Sequence, residues 1–206
     1  MNKELINYIE NSIIPKYSEF DKGHGIDHVR SVIDESLKLA VNCNVNLDYA
    51  YVIAAYHDLG LCEGRELHHI VSGKILEADK HLQQWFSGDA IKLMKEAVED
   101  HRASAKNSPR SIYGKIIAEA DRDIIPLKII RRTIQYSIAN SPSNDKEHHW
   151  ANLLNHMAEK YAEGGYMKLW FENSKNAERL RELRKIISDK AQLRDIFEEF
   201  YDNENC

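Results

Sequence analysis

The chain has 206 residues, of which 43% are hydrophobic and 30% charged, and its net charge is −5. This size and composition are typical of a globular protein with a real core, and the acidic balance disfavours nucleic acid as a partner. We expect no membrane association, because the apolar runs are far shorter than the roughly 20 residues of a membrane span. Cys43, Cys62 and Cys206 form no CxxC pair, which favours a reduced, cytoplasmic setting.

Apolar residues recur at helical spacing along the whole chain, whereas alternating strand patterns are almost absent. The sequence therefore predicts an all-α fold. Gly60 suits the left-handed position after a helix, and Pro126 is expected to break or kink a helix. The clearest loop of the carboxyl half is 140–146. In chain order the predicted helices cover 2–13, a segment beginning near 27, about 48–59, 66–82, 88–102, 111–139, 147–170 and 175–201.

The stretch YVIAAYHDLG, residues 51–60, ends an apolar run with His57 beside Asp58. An imidazole and a carboxylate are costly to bury unless something pairs with both of them. Three interpretations are open from this stretch alone: a hydrogen-bonded pair in the core, a catalytic dyad, or two ligands of one metal ion.

Other histidines and acids stand at the ends of separate predicted helices. His24 and His28 lie four residues apart at a helix entrance, His69 and His101 lie on apolar faces, and Asp121 follows an apolar run. A single histidine on an apolar face is more often structural, but several at helix ends favour a shared site. Two imidazoles with two carboxylates suit a divalent cation such as Mn²⁺, Fe²⁺, Co²⁺ or Ni²⁺. Since these clusters contain no thiolate, a closed structural zinc site is not expected.

The segments HGIDHVRSV, AAYHDLG and AEADRDI, taken in order, resemble the signature of the HD-domain superfamily of metal-dependent phosphohydrolases. The resemblance covers about 20–135. It implies an HD-domain helical bundle over 1–140, with additional carboxyl-terminal helices over 141–206 packed on it as one compact unit. The activity that it implies is hydrolysis of a phosphate ester or anhydride, very often of a nucleotide. The metal ligands that it implies are His28, His57, Asp58 and Asp121.

A second pattern, HxxSxxxL, is formed by His69, Ser72 and Leu76, and together with ADR at 120–122 it is similar to small stand-alone bacterial members of the superfamily. In the binuclear phosphodiesterase branch two further histidines hold a second ion, and His69 and His101 fall in the corresponding places. We favour one ion (Mn, Fe, Co, Ni or Mg) and leave a second one open. The glycine-tyrosine-proline signature of the cyclic-dinucleotide branch is absent, which disfavours that substrate.

The roles implied by this resemblance are as follows. Asp58 or Asp121 orients the attacking water, and His101 or His69 protonates the leaving oxygen unless both histidines bind a second ion. The expected partner is a small phosphorylated substrate, by preference a nucleotide, and a homodimer is compatible with the sequence. The alternatives are a non-catalytic module that binds a nucleotide or a metal, and an iron oxygenase on the same helical fold. Candidate substrate-binding residues, each equally compatible with an ordinary surface role, are Arg122, Lys115, His24 and Arg102.

Overall fold

The computed structural model describes residues 1–21, 23–103, 107–141 and 145–204. Within these ranges the chain forms α-helices joined by short 3₁₀ and π segments, and no strand occurs there, so the predicted all-α class is confirmed. The predicted loop at 140–146 includes residues 142–144, which lie outside the described ranges. The helices are α1 (Lys3–Tyr8), α2 (Ile26–Asn42), α3 (Leu47–Tyr56), α4 (His68–Ala78), α5 (Gly88–Glu99), α6 (Ile112–Ala120), α7 (Pro126–Asn140), α8 (Lys146–Lys160), α9 (Lys175–Ser188) and α10 (Lys190–Glu204).

The chain divides into two compact units, residues 1–122 and 123–206. The division falls earlier than the boundary predicted at 140, so that α7 belongs to the second unit. That the carboxyl-terminal helices pack on the first domain stays a prediction. Among the described residues, no helix combines the length and the apolar character that crossing a bilayer requires.

Helix α3 lies in the core of the first unit and packs against α2, α5 and α6. Its residues 50–56 are all buried, as expected of a helix that is apolar on every side. Asn46 begins the helix, because its side chain accepts hydrogen bonds from the backbone N–H groups of Asp48 and Tyr49. The other end of α3 carries His57 and Asp58 into the interior, where they are 0% and 3% exposed.

The break predicted near Pro126 is confirmed, because the predicted 111–139 segment forms two helices and Pro126 begins the second, where a missing N–H costs nothing. Two other helices end earlier than their apolar spacing predicts. Helix α8 ends at Lys160 rather than near 170, before a turn in which Gly164 takes φ +83°. The predicted 175–201 helix is interrupted at Asp189, whose extended backbone separates α9 from α10 and whose carboxylate accepts a hydrogen bond from the Gln192 N–H.

Candidate metal centre

Five helices of the first unit bring titratable side chains together at their ends. His28 lies in the first turn of α2, and His57 and Asp58 directly follow α3. Backbone groups at a helix end have no partner within the helix. Side chains placed there can be held by hydrogen bonds to these groups while they point away from the helix. The remaining members are His68 at the start of α4, His101 just after α5 and Asp121 just after α6.

The first donor group consists of His28, His57, Asp58 and Asp121, with ligand atoms all within 4.8 Å of one another. His28 Nε2 lies 3.4 Å from His57 Nε2 and 3.2 Å from Asp121 Oδ1. His57 Nε2 lies 3.3 Å from Asp58 Oδ2. Two ligand atoms at neighbouring positions around a metal ion, each about 2.1 Å from the ion, lie roughly 3 Å from each other. Two nitrogens and two oxygens at this spacing fit a divalent cation.

The second donor group consists of Asp58, His68 and His101. The Nε2 atoms of the two histidines lie 3.0 Å apart, and each is 3.6 Å from Asp58 Oδ1. Asp58 thus presents Oδ2 to the first group and Oδ1 to the second. A carboxylate shared in this way is suited to bridging two ions.

Backbone carbonyls set which nitrogen of three imidazoles carries the proton. His57 Nδ1 lies 2.8 Å from the Ala54 carbonyl, and His68 and His101 repeat this contact with the carbonyl three residues earlier, at 2.8 and 2.6 Å. Because a carbonyl only accepts, each Nδ1 donates and each neutral ring keeps its Nε2 lone pair. This is the orientation that a metal-ligating histidine needs.

The centre is electrostatically negative and largely buried. Burial lowers the pKa of His57, but Asp58 and Asp121 more than offset this and raise it well above its ordinary value. Burial raises the pKa of Asp58, yet His57 and His101 hold it well below its usual range. Surroundings that stabilise a buried imidazolium also stabilise a metal cation, since both are positive charges placed between the same carboxylates.

Tyr17, from the 3₁₀ segment Ile14–Glu19, supports the backbone beside the metal centre. Its hydroxyl donates to the Ala55 carbonyl (3.0 Å) and accepts from the Asp58 N–H (3.3 Å). The ring is completely buried, and its centroid lies 6.4 Å from that of His57. Tyr17 therefore fixes the backbone that carries both central ligands. Sequence reasoning missed it, because it lies 40 residues upstream with no motif around it.

Gly60 is required by close approach of the backbone and not, as predicted, by a left-handed conformation. A Cβ at this position would lie 2.1 Å from the His68 carbonyl oxygen and 2.6 Å from the Ser72 nitrogen. The Gly60 N–H donates to the buried Ser72 hydroxyl at 2.8 Å. These contacts hold the start of α4, and hence His68, against the segment that follows Asp58.

We expect Gly60→Ala to displace α4 and to weaken the second donor group more than the first. The added methyl group meets backbone atoms, which cannot rotate away, and overpacking of this kind typically costs about 1–3 kcal/mol. Titration with Mn²⁺, followed by electron paramagnetic resonance, measures the two affinities. Gly64→Ala is the control for added bulk, because a Cβ there meets nothing within 4 Å, although its φ of +103° adds backbone strain. Equal effects of the two variants on Mn²⁺ binding would contradict this role for Gly60.

The structure brings together every predicted metal ligand, and it places His68, rather than His69, in the second donor group. The Nε2 atoms of His68 and His101 lie 3.0 Å apart, whereas the His69 ring centroid lies 6.4 Å from that of His101. A catalytic role for His69 stays a prediction. Consecutive helical residues point about 100° apart, so only one of the pair can face Asp58, and α4 begins with His68 in that position. His69 is absent from both donor groups, and burial, followed by His101 and His68, lowers its pKa to about 4.

The predicted substrate-binding residues lie outside both donor groups. The imidazole of His24 is 3.0 Å from the Asp21 carboxylate, and its ring centroid is 5.9 Å from that of His28. Arg102 donates to the Glu66 carbonyl at 2.7 Å. Arg122 is 9% exposed, and Lys115 is partly exposed on α6. Their part in substrate binding stays a prediction.

Comparison with known proteins assigns the first unit. Residues 25–123 match the family model of the HD domain. The chain contains an HD domain. Its four-ligand group lies within the matched residues, and HD domains bind divalent metals, so this group could hold a metal ion.

A solved structure shares the fold over nearly the whole chain. It is described as a predicted HD superfamily hydrolase from an uncultured Thermotogales bacterium, and it is 17% identical to this chain. The match covers 92% of this chain and 88% of that one, with a TM-score of 0.55. Among curated proteins, no sequence matches this chain. The likeness therefore shows a shared fold over nearly the whole chain but assigns no substrate.

Proposed function

We propose that this HD domain is a metal-dependent phosphohydrolase that cleaves a phosphate ester or anhydride of a small molecule, by preference a nucleotide. The observation that carries the proposal is the shared carboxylate of Asp58, which faces two histidines on each side. The sequence alone favoured one ion, whereas this arrangement favours two. A purely structural site would have no need of a second donor group on the same carboxylate.

The arrangement has the parts that phosphoryl transfer to water requires. Bound divalent ions would supply charge stabilisation on phosphoryl oxygens and would lower the pKa of a water molecule. The chain itself supplies metal-ligand atoms in fixed positions. Asp58 and the Nε2 atoms of His57 and His101 are held in place by burial, and the two rings also by hydrogen bonds to backbone carbonyls. His28 and Asp121 have side chains 20% and 24% exposed. The centre therefore opens to solvent on their side, where we place the substrate.

Cationic groups near the donor residues are candidates for holding the substrate phosphate. Arg65 precedes His68 by three residues and offers its carbonyl to that ring. Its guanidinium, 70% exposed, is bonded to Asp21 at 2.6 Å, and Asp21 also contacts His24. Arginine can grip two phosphate oxygens at once. We propose that Arg65 and His24 join Arg102, Arg122 and Lys115 in substrate binding.

The proposal is tested by phosphate release from a panel of nucleoside mono-, di- and triphosphates. Protein freed of metal is reconstituted with Mn²⁺, Fe²⁺, Co²⁺, Ni²⁺ or Mg²⁺ before each assay. We expect release with at least one ion and loss of release with excess chelator. No release from any substrate with any ion would favour the non-catalytic alternative, and consumption of oxygen with Fe²⁺ would favour the oxygenase.

His68→Ala and His101→Ala should each lower the bound metal by about one equivalent per chain, since both rings belong to the second donor group. We expect hydrolysis to fall with the metal. The matched control is His69→Ala, which removes a neighbouring imidazole outside that group. Elemental analysis after gentle desalting measures the metal content.

The same variants distinguish a centre with one ion from a centre with two. If His101→Ala keeps all of its metal and still loses about 10²–10⁴ in rate, the usual range for a general acid or base, the ring acts on the substrate alone. If His69→Ala loses metal and His68→Ala does not, our assignment of the second group is wrong. The cytoplasmic location and the homodimer stay predictions.

A further inference from the structure

The second unit contains a cavity of about 610 Å³ whose lining residues all lie between 123 and 161. It therefore uses no residue of the metal centre. Pockets that bind small molecules commonly measure about 300–1,000 Å³. The question is what a cavity of this size and chemistry would take up.

Two polar rows, on α7 and α8, line the cavity. On α7 the row is Arg132, Tyr136 and Asn140, and on α8 it is Asn152, His156 and Lys160. Residues four apart share one face of a helix. The apolar stripes of the same helices, which include Ile130 and Leu153, lie fully buried in the core of the unit. These polar rows are therefore separate from the surfaces that hold the two helices in the core.

Two adjacent arginines of α7 differ in their surroundings. Arg131 donates to the Glu204 carboxylate at 2.9 Å, and its guanidinium lies over the Phe200 ring at 5.4 Å. Arg132 lines the cavity and pairs with no carboxylate among the residues that the structure describes. The charge of Arg131 is thus neutralised within the protein, whereas that of Arg132 is directed toward the cavity.

The cavity is positive at the end formed by Tyr161. Arg132 is close enough to act electrostatically on the Tyr161 phenol, and the Lys160 ammonium lies 5.1 Å from the Tyr161 ring centroid. The single acid of the lining, Asp123, is paired with Lys128. Burial raises the pKa of Tyr161 to about 12, so the phenol stays neutral. An anion entering here meets the Arg132 guanidinium, together with the Lys160 ammonium, which also interacts with other groups of the protein.

We infer that this cavity binds a phosphorylated small molecule that carries a planar ring, such as a nucleoside monophosphate. Arg132 and Lys160 would hold the phosphate, for which guanidinium geometry is well suited. Tyr136, on the same row and 70% exposed, offers an aromatic face to the ring, and such stacking is tolerant of the base. Asn152 and His156 supply polar groups along the wall. The inference is independent of the hydrolytic activity proposed for the first unit.

The test is equilibrium dialysis of AMP, adenosine and inorganic phosphate against the full chain in the presence of EDTA. With no metal in the first unit, binding there is suppressed. We expect AMP to bind, inorganic phosphate to bind more weakly and adenosine to bind least. Arg132→Gln and Lys160→Gln should each weaken AMP binding at least tenfold, or about 1.4 kcal/mol. Tyr136→Ala should weaken the binding of AMP but not that of phosphate.

The matched control is Arg131→Gln, which removes the same charge from the neighbouring position and should change AMP affinity less than twofold. Asp58→Asn, which alters only the metal centre, should bind AMP as the wild type does. Arg132 is exposed and glutamine is a good helix former, so both α7 variants should fold, and Lys160→Gln gives an independent reading. The inference is overturned if neither AMP nor phosphate binds, if the two arginine variants behave alike, or if Asp58→Asn abolishes binding.

Discussion

Asp58→Asn is expected to abolish metal binding at both donor groups and hydrolysis with it. Among the residues that the structure describes, Asp58 is the one that belongs to both groups, and it contributes one oxygen to each. The change replaces this shared anionic ligand by a neutral amide of nearly the same size. Loss of a residue that merely orients a ligand costs about 10–100-fold in metal affinity. Loss of the bridging ligand should exceed that range for both ions.

Two further variants make this result specific. Asp121→Asn alters only the first group, so we expect it to retain about one equivalent of metal. Asp195→Asn removes an exposed carboxylate of α10 and should leave metal content and activity unchanged. Elemental analysis and phosphate release are measured on the same samples. An Asp58→Asn protein that keeps two ions would exclude the bridging role.

Chelation is expected to lower the melting temperature of the wild-type protein. An ion that binds only the folded chain stabilises it by RT ln(1 + [L]/Kd), about 2.7 kcal/mol at a hundredfold excess over Kd. For a chain of this size each kcal/mol shifts the transition by about 2–4 °C. We therefore expect a fall of about 5–10 °C for each ion removed, measured by circular dichroism at 222 nm with and without EDTA.

The control for chelation is Asp58→Asn, whose melting temperature should not respond to EDTA because it holds no ion. Adding Mn²⁺, Co²⁺ or Ni²⁺ back should restore the wild-type transition and leave that of the variant unchanged. The same shift in both proteins would mean that the ions act elsewhere on the chain. No shift in the wild type would argue against tight binding.

The helical class follows from the apolar spacing of the sequence, whereas the four ligands of the first group are what its resemblance to the HD-domain signature implies. His57 and Asp58 stand at the end of a run that is buried throughout, where only paired groups are tolerated. Asp121 likewise ends the apolar helix α6. Such residues can be recognised from the sequence because a charged or polar side chain is unusual at the end of an apolar segment.

What the sequence failed to predict depends on contacts between distant segments. Choosing His68 over His69 requires the first residue of α4, a boundary that periodicity does not locate. Tyr17 supports the centre only through the packing of a short 3₁₀ segment. The break at Asp189 is hidden because helical spacing continues on both sides of it, and a single extended residue leaves little trace in an apolar pattern.

Anomalous diffraction from crystals grown with Mn²⁺ tests the bridged metal centre most directly. We expect one peak about 2.0–2.2 Å from Nε2 of His28 and His57 and from carboxylate oxygens of Asp58 and Asp121. A second peak should lie at the same distance from the other Asp58 oxygen and from Nε2 of His68 and His101. Peaks that do not share Asp58, or no peak among these residues, would contradict the account.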